Sequence, residues 1–325
     1  MKPYAAILAA LLVGGIFLLP ATASAYWYWG SKPLAMGGAF SAVANDINTM
    51  QWNPAGLAFL NERKQVGIQF NYERQEMLFG DSEYLFPDLK SSDSESDFTN
   101  DYFYEDRNTV DPKKKMKRDL YHLAVADGYV NPFVAVGMDF TGLNFPSTTF
   151  KEGRDFCTDL TIAGGMEDIF SLGATGRYVD VSSTSNGEFD MDFGALFKAV
   201  GILGFGLVGR NVFGNDEPRI IRRELAFGLA GYILNYATIS TEITKVFDVS
   251  DVPGTFNFAV GAEGLIAKIF ALRGGFNWDR VNDTRLYSLG AAYTDKYGTL
   301  SYTFQGDTQE VLNFTHSIEL TVYFP

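Results

Sequence analysis

The sequence predicts an all-β protein, a 14-stranded antiparallel transmembrane β-barrel. Three observations carry this reading. From about Gln65 onward, apolar residues alternate with small, polar or charged ones at the period of two that marks strands. The alternating stretches run to about 10–12 residues, beyond the usual strand length of ~5–6. The connections between them alternate between short and long. Composition agrees: 33 Gly, 28 Phe and 17 Tyr among 325 residues suit tightly turned, aromatic-rich β-structure better than a helix bundle.

The charge and the reactive side chains narrow the function classes. A net charge of -13 argues against nucleic acid as a partner, because phosphate binding needs a basic field. One cysteine, Cys157, excludes an intrachain disulfide. Two histidines, His122 and His316, leave little for metal or triad chemistry. With no Gly-x-Ser-x-Gly elbow, no evident acid cluster and no metal-loop spacing in Ser91–Asp106, no catalytic residue, metal or cofactor is expected.

The first element is residues 1–25. Met1-Lys2, an apolar run from Ala5 to Leu19, and Ala23-Ser24-Ala25 read as a secretory signal peptide cut after Ala25. The apolar run is shorter than the ~20 residues of a spanning helix, which argues against an anchor.

Residues 26–64 follow and do not alternate. Leu34–Ala44 is small and apolar, Gly37-Gly38 allows close backbone approach, and Asn53-Pro54 with Gly56 marks a turn. The segment reads as short helix and turns.

Residues 65–325 supply the strands. Their starts are expected near residues 65, 119, 132, 157, 168, 188, 203, 222, 235, 255, 268, 285, 297 and 314. Val134, Val136, Met138 and Phe140 form the apolar face of one, and Phe170, Leu172, Ala174, Gly176 and Tyr178 that of another. A soluble β-sandwich would also give alternating strands. A barrel turned inside out, greasy outside and polar within, better explains the strand length and the glycine-rich, charged second face. Closure is then required, since lipid satisfies no open sheet edge. The longest connection is expected over about 73–118. Its first part, to Asp106, is acidic, and Lys113-Lys114-Lys115-Met116-Lys117-Arg118 is its basic foot. A solvated external loop is the plain reading, a cation or partner site the sharper one.

The stretch Met36-Gly-Gly-Ala-Phe-Ser-Ala-Val-Ala-Asn-Asp, continuing to Trp52-Asn-Pro-Ala-Gly-Leu-Ala58, resembles the N-terminal signature of the long-chain fatty acid transporter (FadL-like) superfamily of outer-membrane barrels, its PorV-like branch included. The likeness is close over about Leu34–Leu60. It implies a fourteen-stranded barrel whose N-terminal segment folds into the lumen as a hatch, with Gly37, Gly38, Asn53, Pro54, Ala55 and Gly56 belonging to it. It implies the bacterial outer membrane and passive transport of hydrophobic, fatty-acid-like molecules. The alternative is a PorV-like partner in protein secretion or surface attachment. The last strand, Ile318–Phe324, looks like the signal read by the barrel assembly machinery, although Pro325 makes the aromatic penultimate.

Arg177, Arg210 and Arg273 fall on the polar parity and become candidates for holding a ligand head group, since arginine forks suit carboxylates. Asp190 and Asp192 lie at a matching height, so the same arginines could brace the wall instead. His122 and His316 read as lumen or interface residues and Cys157 as an inert thiol. Trp27, Trp29, Tyr178, Trp278, Tyr293 and Tyr297 are candidates for interfacial girdles against outer-membrane lipid. Lumen glycines such as Gly137, Gly173 and Gly206 leave room inside for a ligand or for the hatch.

Overall fold

The computed structural model describes residues 29–63, 65–78, 115–129, 131, 133–145, 153–166, 169–180, 187–199, 201–213, 223–234, 236–247, 254–280, 284–308 and 313–324. The expected signal peptide, Trp27, most of the expected long loop and Pro325 lie outside them.

Fourteen antiparallel strands form one closed barrel in which each pairs with its sequence neighbours. They are β1 (Val66–Leu78), β2 (Lys115–Asp127), β3 (Val134–Phe145), β4 (Gly153–Met166), β5 (Phe170–Asp180), β6 (Glu188–Ala199) and β7 (Leu203–Arg210). The second half is β8 (Glu224–Ile233), β9 (Ala237–Val246), β10 (Thr255–Ile266), β11 (Phe270–Asp279), β12 (Thr284–Thr294), β13 (Gly298–Asp307) and β14 (Phe314–Phe324). Pairing of β1 with β14, from Val66↔Phe324 to Glu76↔Phe314, closes the ring and leaves no edge.

The period of two decides which side chains meet which solvent. Leu160, Leu172, Phe189, Leu207, Leu272, Leu289 and Leu300 point outward and stay 49–62% exposed. Asp139, Asp159, Thr175, Arg177, Arg210, Glu242 and Glu319, on the other parity, are buried. An apolar exterior and a polar interior are the inverse of a soluble β-protein.

The even-to-odd connections are residues 128–133, 167–169, 200–202, 234–236, 267–269 and 295–297. Those at the other end, from 79–114 to 308–313, are mostly longer. The long loop expected over 73–118 narrows to 79–114, because β1 and β2 extend further than the charge pattern implied. Their charges pair across the ladder: Arg74 Nε lies 2.9 Å from Asp119 Oδ1, and Lys117 Nζ 3.3 Å from Glu76 Oε1. A charged run therefore continues as strand there.

The N-terminal segment holds α1 (Ser31–Ala35), α2 (Thr49–Trp52), a 3₁₀ turn (Pro54–Leu57) and α3 (Ala58–Arg63). Trp29 and all residues from Ser31 to Ala44 are buried. Its atoms stand against inward positions of many strands: Met50 at Gly137, Pro54 at Gly173, Ser41 at Gly206, Met36 at Gly261 and Gly37 at Gly275. A segment touching β3, β5, β7, β10 and β11 on the face opposite lipid lies inside the ring. Its apolar part, including Ile47, Met50, Leu57 and Leu60, packs with Ala124, Ala126, Ala135 and Tyr323 near the short-turn end. The room left by these wall glycines is occupied by the segment, by its backbone at Gly173, Gly206, Gly261 and Gly275 and by the Met50 side chain at Gly137.

Candidate functional site: the interface between the N-terminal segment and the barrel wall

The turn residues singled out in the sequence fix the path of the segment. Gly37 and Gly38 have φ of 65° and 86°, the left-handed region that glycine enters without strain. Gly37 also lies against the Phe276 backbone, where a Cβ would collide, and its carbonyl accepts from Asn277 Nδ2 at 2.9 Å. Asn53 Oδ1 caps the 3₁₀ turn by accepting from Ala55 N at 3.2 Å, with Pro54 in its first turn. Asn53 Nδ2 donates to Ser41 O at 2.7 Å and, across to the wall, to Ala195 O at 3.2 Å. Gly56 sits where a side chain would strike the Ala44 carbonyl and Thr49.

Wall carboxylates hold the segment along its length. Glu73 Oε1 accepts from Gly30 N at 3.0 Å, and Glu319 Oε2 accepts from Ser31 N at 2.9 Å. These satisfy donors at the start of α1 that have no partner within the helix. Glu263 Oε1 pairs with Lys32 Nζ at 3.1 Å. Glu242 Oε2 accepts from Phe40 N and Ser41 N at 3.2 and 2.8 Å. Gln51 Nε2 donates to both Asp139 oxygens at 3.1 and 2.9 Å, and to Asp159. These contacts tie the segment to β1, β3, β4, β9, β10 and β14.

The three arginines are each engaged. Arg177, 1% exposed, donates Nη2 to Asp159 Oδ2 at 3.0 Å and to Gln51 Oε1 at 2.8 Å, and sits 3.1 Å from Asp192 Oδ2. Arg210 lies 3.3 Å from Glu224 and 3.1 Å from Glu242, and its Nη2 also donates to Ser41 Oγ and to Trp52 O, each at 2.9 Å. Arg273 Nε pairs with Glu263 Oε2 at 2.7 Å. Of the two roles read from the sequence, these distances speak for bracing, with Arg177 and Arg210 also tying segment to wall. Asp139, Asp159 and Arg177 stand level across three strands, in the register Asp139↔Asp159↔Arg177.

The remaining residues fall into place by parity. His122 is buried, inward, 5.2 Å from the Trp29 ring and 3.7 Å from Asp139. Trp29, expected as a candidate girdle residue, is instead fully buried against His122, because it belongs to the segment rather than to an outward strand position. Tyr178, Trp278, Tyr293 and Tyr297 do point outward. His316 lies on the outer face and its Nδ1 is 2.7 Å from Tyr302 Oη. Cys157 is buried with its thiol on Asp159 Oδ1 at 3.3 Å. Among the described residues no helix is long and apolar enough to cross a membrane, and no cluster of metal-ligating side chains occurs.

An apolar hollow of ≈ 410 Å³ opens on the outer wall between β3 and β6, lined by Val134, Ile162, Leu172, Ala174 and Phe193 among others. The wall is thin there. Gly173 and Gly194 face each other across β5 and β6, and behind them stand Asn53, Pro54 and Ala55.

No protein-family model matches the chain. Among curated proteins, one component of the nuclease SbcCD from Treponema pallidum is 32% identical over 96 residues, which are 28% of this chain and 9% of that protein. The chain thus spans a small part of that relative's length, and no activity is carried over. Solved structures are more informative about the fold. A Pseudomonas aeruginosa FadL homologue matches 95% of this chain and 99% of its own, with a TM-score of 0.56 and 13% identity. The Pseudomonas putida toluene transporter TodX matches 93% of this chain and 98% of its own, with a TM-score of 0.58 and 11% identity. The resemblance carried by Leu34–Leu60 is met at the level of architecture: the chain has a FadL-like barrel fold.

Proposed function

We propose that the chain is a bacterial outer-membrane channel for passive uptake of hydrophobic small molecules, fatty-acid-like ligands among them, and that residues 26–64 are its hatch. The exterior supports the membrane part: an outward apolar band on a closed ring is what a bilayer requires. The observation that carries the channel part is the occupied interior. Segment atoms reach inward glycines from β3 to β11, so a solute crosses only if the segment yields. An open porin-like pore would need no such fitted insert. The segment is held by the Glu73, Glu242, Glu263, Glu319 and Asp139 carboxylates, polar contacts that water can replace, whereas its apolar part, with Ile47, Met50, Leu57 and Leu60, anchors it near the short-turn end.

The outer hollow by Gly173 and Gly194 supports a sideways exit for an apolar ligand, with Asn53-Pro54-Ala55 as the part that moves away from behind the wall. A ligand carboxylate that used Arg177 or Arg210 as its head-group site would have to displace a wall carboxylate there. The likeness in fold to a FadL homologue and to a toluene transporter agrees with an apolar ligand. The alternative of a PorV-like secretion partner came from the sequence resemblance, with the acidic loop as its docking surface; the similar solved structures do not favour it, and residues 79–114 lie outside the described residues.

The test is uptake by intact cells that lack channels of their own for such compounds. The barrel should speed entry of a fluorescent alkyl or aromatic probe and leave entry of a sugar of similar mass unchanged. Equal acceleration of both would mean an open pore and contradict the proposal.

A further inference from the structure

The outer face carries a basic and aromatic patch at the end that bears the longer connections. It spans four adjacent strands, β9 to β12. Lys245 lies near the end of β9, opposite Phe256 of β10 in the ladder. Its Nζ sits 5.0 Å from the centre of the Phe256 ring. Phe258, two residues on, lies opposite Trp278 of β11, with ring centres 6.2 Å apart. Trp278 in turn lies opposite Arg285 of β12. Arg280 and Arg285 place their guanidinium carbons 5.5 and 5.6 Å from the centre of the Trp278 ring. Phe256, Phe258 and Trp278 are 46%, 38% and 37% exposed, so the patch lies on the outer surface.

Three cations on one rim of a chain with net charge -13 need an explanation. Elsewhere on that rim, outward cations are neutralised: Arg74 by Asp119 and Lys117 by Glu76. Lys245, Arg280 and Arg285 have aromatic faces beside them and, among the described residues, no carboxylate partner. Cation–aromatic contacts hold such side chains flat against the wall while leaving their N–H donors free to bond outward. Below them the outward surface is apolar, with Ile243, Val260 and Phe276 exposed. Strands spaced ~4.8 Å apart make a four-strand patch about 15 Å wide, room for a lipid headgroup.

We propose that this patch is a binding site for a phosphate-bearing anionic lipid of the leaflet at that rim. Its headgroup phosphate sits among Lys245, Arg280 and Arg285, and its acyl chains lie on Val260 and Phe276. Charge complementarity selects this occupant. A protein partner would bring apolar groups of its own to a surface that lipid already covers. The inference rests on the wall facing a bilayer but not on what the channel carries, and its test needs no transport.

The experiment is native mass spectrometry of the full-length mature barrel in a neutral detergent, titrated with phosphatidylglycerol or with phosphatidylcholine of the same chains. The variant Lys245→Gln, Arg280→Gln, Arg285→Gln is compared with wild type and with a control, Lys268→Gln, Lys296→Gln, altered at the short-turn end. Folding is checked by heat-dependent gel migration, which outward surface substitutions should leave intact. The expected result is one tight phosphatidylglycerol adduct on wild type and control, weakened about tenfold or more in the triple variant. Phosphatidylcholine should bind weakly to all three. Equal phosphatidylglycerol affinity in wild type and triple variant would overturn the site. Inorganic phosphate at the same concentration displacing the lipid would overturn the lipid as its occupant.

Discussion

Arg177 and Gln51 meet at the contact between N-terminal segment and wall. Nη2 of Arg177 donates to Gln51 Oε1 at 2.8 Å, and Gln51 Nε2 donates onward to Asp139 at 2.9 Å. One neutral amide thus links a wall cation to a wall anion, and through it the segment is attached to β3, β4 and β5. Asp159 and Asp192 are buried against the Arg177 guanidinium, and the amide supplies the donor for Asp139, which the arginine does not reach.

Gln51→Ala should therefore loosen the segment while sparing the barrel. Losing an amide that donates to buried carboxylates costs about 1–3 kcal/mol. Hydrogen–deuterium exchange should rise over residues 39–63 and stay unchanged in β8 to β14. Equal protection in both proteins would contradict the role given to Gln51.

Arg177→Met should act on the whole barrel. It leaves Asp159 and Asp192 buried without their cation, a loss of roughly 3–5 kcal/mol for a broken buried pair. The thermal midpoint should fall well below that of wild type. Arg177→Lys should recover only part of it, because an ammonium cannot serve Asp159, Asp192, Asn211 and Gln51 together. Full recovery by lysine would mean that charge alone is needed.

Gly206→Val places a side chain where the Ser41 carbonyl lies. Overpacking of this kind costs about 1–3 kcal/mol, and the segment has more freedom to shift than a ladder strand. The variant should fold, expose the segment to added protease and admit small hydrophilic solutes that wild type excludes. A variant as tight as wild type would show that the glycine contact does not set the seal.

Ala174→Trp should fill the outer hollow beside Gly173 and Gly194. The side chain faces lipid, so stability should change by less than about 1 kcal/mol. Uptake of an apolar probe should fall several-fold, and binding of the probe to detergent-solubilised protein should persist. Unchanged uptake would send the ligand out by another route.

Much of the fold was legible because strand parity is written residue by residue. The alternation Phe170, Leu172, Ala174 against Ser171, Gly173, Thr175 needs no tertiary information, and all fourteen strands begin within a few residues of the positions it predicts. The end of β1 and the start of β2 are not legible, since Arg74, Glu76, Lys117 and Asp119 look like loop until their cross-strand pairing is known. Of the site, Asn53, Pro54 and Gly37 were visible as turn chemistry. Gln51, Asp139, Asp159 and Glu242 were not, because what joins them is ladder register and the depth of the segment. Inward parity is the signal in the sequence for these acids, since Asp139, Asp159 and Glu242 share the polar face with the arginines. The lumen glycines showed the converse limit: sequence gives the space, and only the packed structure gives its occupant.

On the proposed function, the segment must leave its seat for an apolar solute to pass. Ser31 Oγ and Thr303 Oγ1 lie 2.8 Å apart, segment against β13. The double substitution Ser31→Cys, Thr303→Cys, made with Cys157→Ala, allows a disulfide that pins the segment to the wall. Uptake of the fluorescent apolar probe by intact cells is measured after oxidation and again after reduction. Uptake should be near background when oxidised and at the wild-type level when reduced. Equal uptake in the two states, with the cross-link confirmed by mass, would contradict it.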